Sequence, residues 1–234
     1  LPMLEETFLL DQLCRLQSNE VGLAVLGYPI KHSISPQIHT AALEALALGD
    51  PAFACWNYRK IEVLPEHLST ALPKLVELGF RGLNLTIPHK VEVLPLLSGI
   101  DPQAEIMGAV NTLKWENNGW HGYNTDGFGL SLAIRNAFQK SLSDFHILVL
   151  GSGGAARAAV AQCLLEGCSR LALYNRSPAR AHALSQTFIQ NENHSSITVL
   201  DSLYDPFGEN EQPLLVINAT SLGLRTDDPA PIDL

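Results

Sequence analysis

The sequence lacks the features that mark membrane, secreted and nucleic-acid-binding proteins. No apolar stretch reaches about 18 residues, the length at which a helix spans a bilayer. The first residues lack the basic region with which a secretory signal peptide begins. Basic residues are few: 15 Lys and Arg stand against 24 Asp and Glu, for a net charge of −9. Because nucleic acids and anionic membranes attract basic surfaces, we expect a cytoplasmic protein that binds neither.

The sequence also lacks the spacings of a metal site or a disulfide framework. Its 4 cysteines form no C-x-x-C pair, so reduced cysteines are expected. His32 and His39 have no acidic or cysteine cluster beside them that would complete a ligand set, and no metal is predicted. The cysteines are Cys14, Cys55, Cys163 and Cys168.

Apolar residues make up 46% of the 234 residues, enough for two medium domains. In the first half, predicted strands alternate with predicted helices, which is typical of an α/β domain. We predict helices at Leu4–Leu16, Pro36–Leu48, Leu64–Leu78 (broken or shifted by Pro73) and Gly127–Phe138, and strands at Leu23–Leu26, Phe53–Tyr58, Gly82–Ile87 and in a hairpin at Val110–Trp115 and Trp120–Tyr123.

The second half contains the pattern of a dinucleotide-binding unit. The apolar run Ile147–Leu150 predicts a buried strand, the segment GSGGAAR at 151–157 fits a G-x-G-x-x-G/A turn, and a helix should follow. The glycines allow a tight turn and close approach of a pyrophosphate, which the N-terminus of the helix would attract. The expected contact residues are Gly151, Ser152, Gly153, Gly154 and Ala155.

The end of the next predicted strand, Arg170–Tyr174, indicates which dinucleotide is bound. NAD-binding proteins commonly have an acid there that binds the ribose 2′-hydroxyl. This chain has Asn175, Arg176 and Ser177 instead, with Arg180 close behind. Without a carboxylate to repel a 2′-phosphate, and with arginines to bind it, NADP is the favoured cofactor.

The fold class that follows is α/β, with two domains and a cleft between them. We expect a mixed α/β substrate-binding domain at residues 1–125 and a Rossmann-like, doubly wound NADP-binding domain at 126–234. The second domain has four candidate strands, the last two at Ile197–Leu200 and Leu214–Asn218, whereas a complete domain has about six. We therefore expect its sheet to be unfinished at Leu234.

Three polar clusters lie where the first half presents functional groups. In GYPIKHSISPQIH, Ser33 and Ser35 either receive a carboxylate or cap a helix, which Ser35 alone would achieve. In GLNLTIPHK, alternation along the strand places Asn84 and Thr86 on the same face. Lys90 lies in the first turn of a helix, where its charge is disfavoured, so it either points into water or has a catalytic role. The third cluster, GAVNTL with GYNTDGFG, contains Asn111 and Asp126. Asp126 is either a functional carboxylate or the N-cap of the helix that follows.

Together, in this order and upstream of the glycine turn, these motifs resemble the shikimate dehydrogenase family. The resemblance extends from about Gly22 through INATSLGL at 217–224, which contains Thr220, a further expected cofactor contact. It implies that Ser33 and Ser35 bind a carboxylate, and that Lys90 and Asp126 are the catalytic pair. Ring hydroxyls would be held by Asn84, Thr86, Asn111 and Asp126.

The resemblance implies reversible hydride transfer between NADPH and the carbonyl of 3-dehydroshikimate, giving shikimate in aromatic amino acid (chorismate) biosynthesis. A lysine ammonium stabilises the alkoxide that forms and can donate its proton. Two alternatives remain: a quinate/shikimate dehydrogenase that uses NAD, and a non-catalytic NADP-binding regulator of the same fold. Ser35, and Ser177 without an acid behind it, argue against the first, and retention of Lys90 and Asp126 argues against the second. A monomer or homodimer is expected.

Overall fold

The computed structural model describes residues 7–9, 11–12, 20–189, 197–202, 212–223 and 227–232. The chain divides into two compact units, one formed by Leu1–Glu105 and Ala109–Asn124 and the other by Ile106–Gly108 and Thr125–Leu234. Each unit is α/β, with a sheet that is wholly or largely parallel. The α/β fold class predicted from the sequence is confirmed.

The first unit is built on a seven-stranded sheet with the order β1-β3-β2-β4-β6-β7-β5. The first four strands in this order are parallel, whereas β6 runs antiparallel to both β4 and β7, and β5 runs parallel to β7. The strands are β1 Thr7–Leu9, β2 Val21–Gly27, β3 Trp56–Glu62, β4 Phe80–Leu85, β5 Gly99–Ile100, β6 Thr112–Glu116 and β7 Gly119–Tyr123.

The strand β1 replaces part of the predicted helix Leu4–Leu16. Its side chains alternate, and Phe8 is buried in the core beside β3. Burial of a phenylalanine on the sheet edge stabilises the extended form more than the weak helical pattern stabilises a helix. Of the predicted helix, residues 4–6, 10 and 13–16 lie outside the described residues.

The described residues before β6 form four α-helices, and one helix and one strand of this region differ from expectation. Pro73 lies inside α2 and neither breaks nor shifts it. Because proline has no N–H, the carbonyl of Ser69 loses its hydrogen-bond partner within the helix. Ser69 is exposed, so water can bind this carbonyl instead. The predicted strand Phe53–Tyr58 begins only at Trp56, after a 3₁₀ turn at Pro51–Cys55, because Pro51 starts a helical turn. The helices are α1 Ser35–Gly49, α2 Leu68–Glu77, α3 His89–Glu92 and α4 Pro102–Met107.

The hairpin of β6 and β7 forms as the sequence predicts. Asn117 and Asn118 connect the strands, with φ values of 51° and 62°. Asparagine tolerates this left-handed conformation better than most residues, and two such residues in succession suit the twist of a tight hairpin. The Asn-Asn-Gly segment therefore sets the register of the two strands.

The second unit has a parallel four-stranded sheet with the order β10-β9-β8-β11 among its described residues. The five residues of β8 are all buried, as the apolar run Ile147–Leu150 predicts. The helix α6 buries Ala156, Val160 and other small side chains against this sheet. The strands are β8 His146–Leu150, β9 Leu171–Tyr174, β10 Thr198–Leu200 and β11 Leu214–Asn218, and the helices are α5 Asp126–Phe138, α6 Gly154–Leu165 and α7 Pro178–Ile189.

Candidate active site

The loop between β2 and α1, here called the serine loop, contains Ser33 and leads into Ser35, and both serines are partly exposed. The Ser33 N–H donates to Ile30 O at 3.0 Å, which closes a turn. The Ser33 hydroxyl oxygen accepts the backbone N–H of Ser35 at 3.3 Å. Ser35 is the first helical residue and Ile34 the N-cap, so the capping alternative for Ser35 is wrong and the hydroxyl at the start of the helix comes from Ser33.

Tyr58 in β3 organises the surroundings of these serines. Its ring stacks on His39 of α1 at 4.1 Å between centroids, and its hydroxyl donates to Asn84 Oδ1 at 2.7 Å. Burial raises the pKa of Tyr58, opposed by a hydrogen bond with Ser35. The sequence analysis missed this residue. Its one indication is general, that a tyrosine in a buried strand needs a partner for its hydroxyl.

Asn84 and Asn111, which lie 27 residues apart, are brought together at the ends of β4 and β6. Asn84 Nδ2 donates to Thr112 Oγ1 at 3.2 Å and to Asn111 O at 3.4 Å. The Thr112 hydroxyl donates to Asn111 Oδ1 at 2.9 Å. Asn84 Oδ1 accepts the hydroxyl of Tyr58. Because an amide oxygen has two lone pairs, one lone pair of Oδ1 remains for a ligand.

Thr86 directly follows β4, which ends at Leu85, and it is half-buried. Its backbone N–H donates to Leu26 O, and its carbonyl accepts from His89 N–H, each at 2.9 Å. A side chain at Gly27 would collide with the Thr86 methyl group and, at 2.8 Å, with Ile30. The absence of a side chain at Gly27 therefore allows the serine loop and Thr86 to approach one another.

Lys90 lies in the short helix α3, which Pro88 precedes as the N-cap. The Lys90 carbonyl accepts the N–H of Val110 at 2.8 Å. The neighbouring His89 is fully buried, and its Nε2 donates to Val63 O at 2.9 Å. Burial lowers the pKa of His89, so the ring is neutral near pH 7 and anchors the helix that carries Lys90.

Asp126 is the first residue of α5, in the second unit, and Thr125 is the N-cap. The alternative that Asp126 itself caps the helix is therefore wrong. A carboxylate in the first turn of a helix interacts favourably with the helix dipole. Asp126 is thus placed at the start of α5, where an acidic side chain is well accommodated.

The glycine turn after β8 adopts the geometry that the motif predicts. Gly151 has a φ of 114°, and a Cβ there would lie 2.7 Å from Ala219 O. At Gly153 a Cβ would meet no atom within 4 Å, so this backbone is open. The first N–H to bond back within α6 is that of Arg157, to Gly153 O at 2.9 Å. The preceding N–H groups, from Gly154 to Ala156, are therefore available to a phosphate.

The segment after β9 places two arginines at the surface. Asn175 Nδ2 donates to Ser177 O at 2.9 Å, and Arg180 N–H donates to the same oxygen at 3.1 Å. Arg176 and Arg180 are exposed, and no described carboxylate forms an ion pair with either. This arrangement fits a ligand phosphate, because two cations stand where no acid competes for them.

Thr220 lies in a turn after β11 that packs against the glycine turn. Its hydroxyl donates to Asn218 Oδ1 at 2.7 Å and accepts the N–H of Leu222 at 3.1 Å. A Cβ on Gly151 would lie 3.3 Å from the Thr220 nitrogen. The turn thus forms one wall of the glycine segment, a placement that fits a cofactor contact.

The part of the chain that the structure describes contains neither a metal cluster nor a membrane-spanning helix. No group of three His, Cys, Asp or Glu side chains there has an arrangement that could hold a metal ion. No helix in the same residues has both the length and the apolar character needed to cross a bilayer. Cys55, Cys163 and Cys168 are free thiols, and Cys14 lies outside the described residues.

Comparisons with known proteins agree on one family. The family model for the shikimate dehydrogenase substrate binding domain matches residues 25–113. A shikimate dehydrogenase (NADP(+)) of Citrifermentans bemidjiense is 39% identical over 216 residues, which cover 90% of this chain and 71% of the relative. The crystal structure of the Aquifex aeolicus shikimate dehydrogenase superposes with a TM-score of 0.79 at 32% identity, covering 93% of this chain and 75% of that one.

A second solved structure is a shikimate dehydrogenase in complex with NADP⁺. It superposes with a TM-score of 0.76 at 30% identity and covers 93% of this chain and 73% of that one. The similarity thus extends over both units rather than over the family-model region alone. By sequence, by fold and by the motifs in both units, the chain belongs to the shikimate dehydrogenase family.

Proposed function

We propose that this protein is an NADP-dependent shikimate dehydrogenase that interconverts 3-dehydroshikimate and shikimate. The observation that carries the proposal is the match over 90% of the chain to a relative of that name. The glycine turn and the acid-free, arginine-bearing end of β9 support NADP independently of it. The same reasoning makes residues 1–125 the substrate-binding domain and 126–234 the NADP-binding domain.

In the substrate-binding domain, Ser33 and Ser35 receive the substrate carboxylate. Hydroxyl donors suit a carboxylate, and the partial exposure of both serines leaves them accessible. Asn84, Thr86 and Asn111 hold the ring hydroxyls. The contacts of Asn84 with Tyr58 and Thr112 support this role, because they fix its amide before a ligand arrives.

Lys90 and Asp126 are the proposed catalytic residues. Bound NADP would accept or supply the hydride. In reduction, the ammonium of Lys90 stabilises the charge that develops on the carbonyl oxygen and donates a proton to it; in oxidation, the neutral amine takes that proton. Asp126 supplies a carboxylate that accepts a hydrogen bond from a substrate hydroxyl. The anchoring of α3 by His89 supports this assignment, because it restrains the backbone of Lys90.

In the NADP-binding domain, the N–H groups at the start of α6 bind the pyrophosphate. The proposed contacts in this segment are Gly151, Ser152, Gly153, Gly154 and Ala155. The 2′-phosphate is bound by Arg176 and Arg180, with Asn175 and Ser177 shaping the turn between them. Thr220 completes the cofactor contacts from the turn beside Gly151.

The test is the initial rate of reduced-cofactor formation in four assays that combine shikimate or quinate with NADP or NAD. We expect turnover with shikimate and NADP. Turnover with quinate and NAD would instead identify a quinate/shikimate dehydrogenase. Binding of NADP with no turnover in any of the four assays would favour the non-catalytic regulator.

We propose a cytoplasmic protein, in keeping with the free thiols of Cys55, Cys163 and Cys168. We propose that it works as a monomer or a homodimer. Sedimentation of the purified chain over a range of concentrations distinguishes these two assemblies.

A further inference from the structure

Lys60 is a buried lysine that none of the roles above explains. Its side chain lies on β3, and the residue is 5% exposed. Its ammonium donates to the carbonyl oxygen of Lys31 at 2.9 Å. Among the described residues, no carboxylate lies within the 4.0 Å of an ion pair with it. The side-chain nitrogen of this lysine is therefore buried against a neutral acceptor.

The position of Lys60 directs this charge toward the serine loop. Tyr58 and Lys60 are two residues apart on one strand and so point to the same face. Tyr58 binds Asn84 and neighbours Ser35, whereas Lys60 lies one step closer to the carboxyl end of β3. There its ammonium reaches Lys31, two residues before Ser33. The charge thus lies behind the proposed carboxylate-binding loop.

A second residue of β3 also holds the loop. Glu62 Oε2 accepts the backbone N–H of Ile30 at 3.4 Å. Since Ile30 O also accepts the N–H of Ser33, Lys60 and Glu62 together hold the two sides of the turn at 30–33. The contact of Glu62 is explained by a structural role alone. The ammonium of Lys60 is not, because burying it costs more free energy than a single hydrogen bond to a carbonyl returns. Its cost is offset when an anion binds nearby.

We propose that Lys60 is a specificity-determining residue for anionic substrates: its buried charge attracts the carboxylate received at Ser33 and Ser35, and its hydrogen bond to Lys31 O sets the turn that presents them. The inference rests on the proposed function and deepens it. Lys60 is not itself a contact of the carboxylate in this account. It acts through the potential it creates in the wall of the site, where screening by water is weak.

The test compares shikimate with its methyl ester, which has the same ring but no charge. Lys60→Met removes the charge at similar volume, and Lys60→Gln removes the charge but keeps a donor for Lys31 O. We expect both to raise KM for shikimate by about tenfold, from a charge at several ångströms in a medium of intermediate dielectric, with kcat little changed. The constant for the ester, measured as KM or as an inhibition constant against shikimate, should stay within about twofold in Lys60→Gln. Lys60→Arg should restore much of the affinity for shikimate.

The control is Lys114→Met, which removes a lysine that is 64% exposed on β6 of the same unit and should leave both constants unchanged. Equal losses for shikimate and ester in Lys60→Gln would overturn the proposal, because a structural role does not distinguish charge. Unchanged constants in both variants would overturn it as well. If the wild-type protein neither binds nor oxidises shikimate, the proposed function and this inference are both overturned. If the wild type is active but the Lys60 variants have the same constants as the wild type, only the inference is overturned.

Discussion

The candidate sites of the two units differ in whether backbone groups or side chains form them. In the second unit the proposed pyrophosphate site consists of backbone: a glycine at positive φ, an open glycine and the N–H groups of a helix start. In the first unit the proposed substrate site consists of side chains from separate elements, joined by hydrogen bonds such as those of Tyr58 with Asn84 and of Thr112 with Asn111.

This difference decides how each site responds to substitution. A backbone site is vulnerable to added atoms, because a new side chain either strains the turn or fills the space of the ligand. A side-chain site is vulnerable to lost atoms, because each polar group has its own partner and its removal leaves that partner unsatisfied. Four predictions test the contrast, beginning with the largest effect.

The first is a loss at the side-chain site. Lys90→Ala should lower kcat by about a hundredfold to ten-thousandfold, the usual contribution of a positioned proton donor, while KM for shikimate changes far less. Steady-state kinetics with NADP measures both constants. Lys114→Ala, at an exposed lysine, is the control. An unchanged kcat would remove Lys90 from the mechanism.

The second prediction concerns the proposed 2′-phosphate site, where the cofactor is bound by side chains rather than by backbone. Arg176→Ala should weaken NADP binding by about tenfold to a hundredfold, the range of a charged hydrogen bond, and leave NAD binding nearly unchanged. Titration with each cofactor measures the two dissociation constants. Arg170→Ala, another exposed arginine of this unit, should affect neither cofactor. Equal losses for NADP and NAD would contradict the 2′-phosphate assignment.

The third prediction compares two added methyl groups in the glycine turn. Gly151→Ala should cost about 1–3 kcal/mol of unfolding free energy, because it strains a positive φ and the methyl meets Ala219 O at 2.7 Å. Gly153→Ala should cost little stability, since its methyl meets nothing within 4 Å, but should weaken NADP binding. Urea unfolding and cofactor titration separate the two effects. Similar stability losses in both variants would show that the turn geometry is not the cause.

The fourth and smallest effect is a pH dependence of stability from His89. Burial lowers its pKa in the folded state below the ordinary value of about 6.5. Protons therefore bind the unfolded chain more tightly, so this stabilisation is complete above about pH 6.5 and is lost as pH falls below it. Unfolding free energies of wild type and His89→Gln, measured from pH 8 to pH 5, should converge toward low pH.

The control for that experiment is His67→Gln, at an exposed histidine, which should leave the wild-type pH profile in place. If wild type and His89→Gln lose stability in parallel as pH falls, the burial of His89 is not the source of the pH dependence. Activity over the same range, measured at saturating substrate, reports whether the anchoring of α3 matters to turnover.

The sequence predicted the elements of the second unit closely and those of the first unit less well. The strand Leu214–Asn218 was predicted residue for residue from its run of apolar side chains, although it is an edge strand of the described sheet and none of its residues is buried. The strand Trp56–Glu62 was misplaced because it contains a half-buried Arg59 and a buried Lys60, and no local pattern indicates that charged residues lie inside a strand there. Likewise, the segment Thr7–Leu9 forms a strand only because a sheet edge accepts Phe8.

The same division applies to the candidate residues. Ser33, Asn84 and Lys90 were identified by their motifs, but nothing local indicated that Tyr58 would bind Asn84 or that His89 would anchor α3. Those contacts join residues 26 positions apart in the chain in each case. Pairing over such separations depends on the packing of whole elements, which propensity and periodicity do not describe.

The sequence by itself determined the α/β class, the glycine turn and the acid-free end of β9, because each depends on the conformation or chemistry of a few neighbouring residues. The tertiary structure alone decided that Ser33 rather than Ser35 receives an N–H at the start of α1, that Asn84 has a single free lone pair, and that Lys60 is buried behind the serine loop. The physical reason is that burial and hydrogen-bond pairing are properties of the space between elements, and that space exists only once the chain has folded.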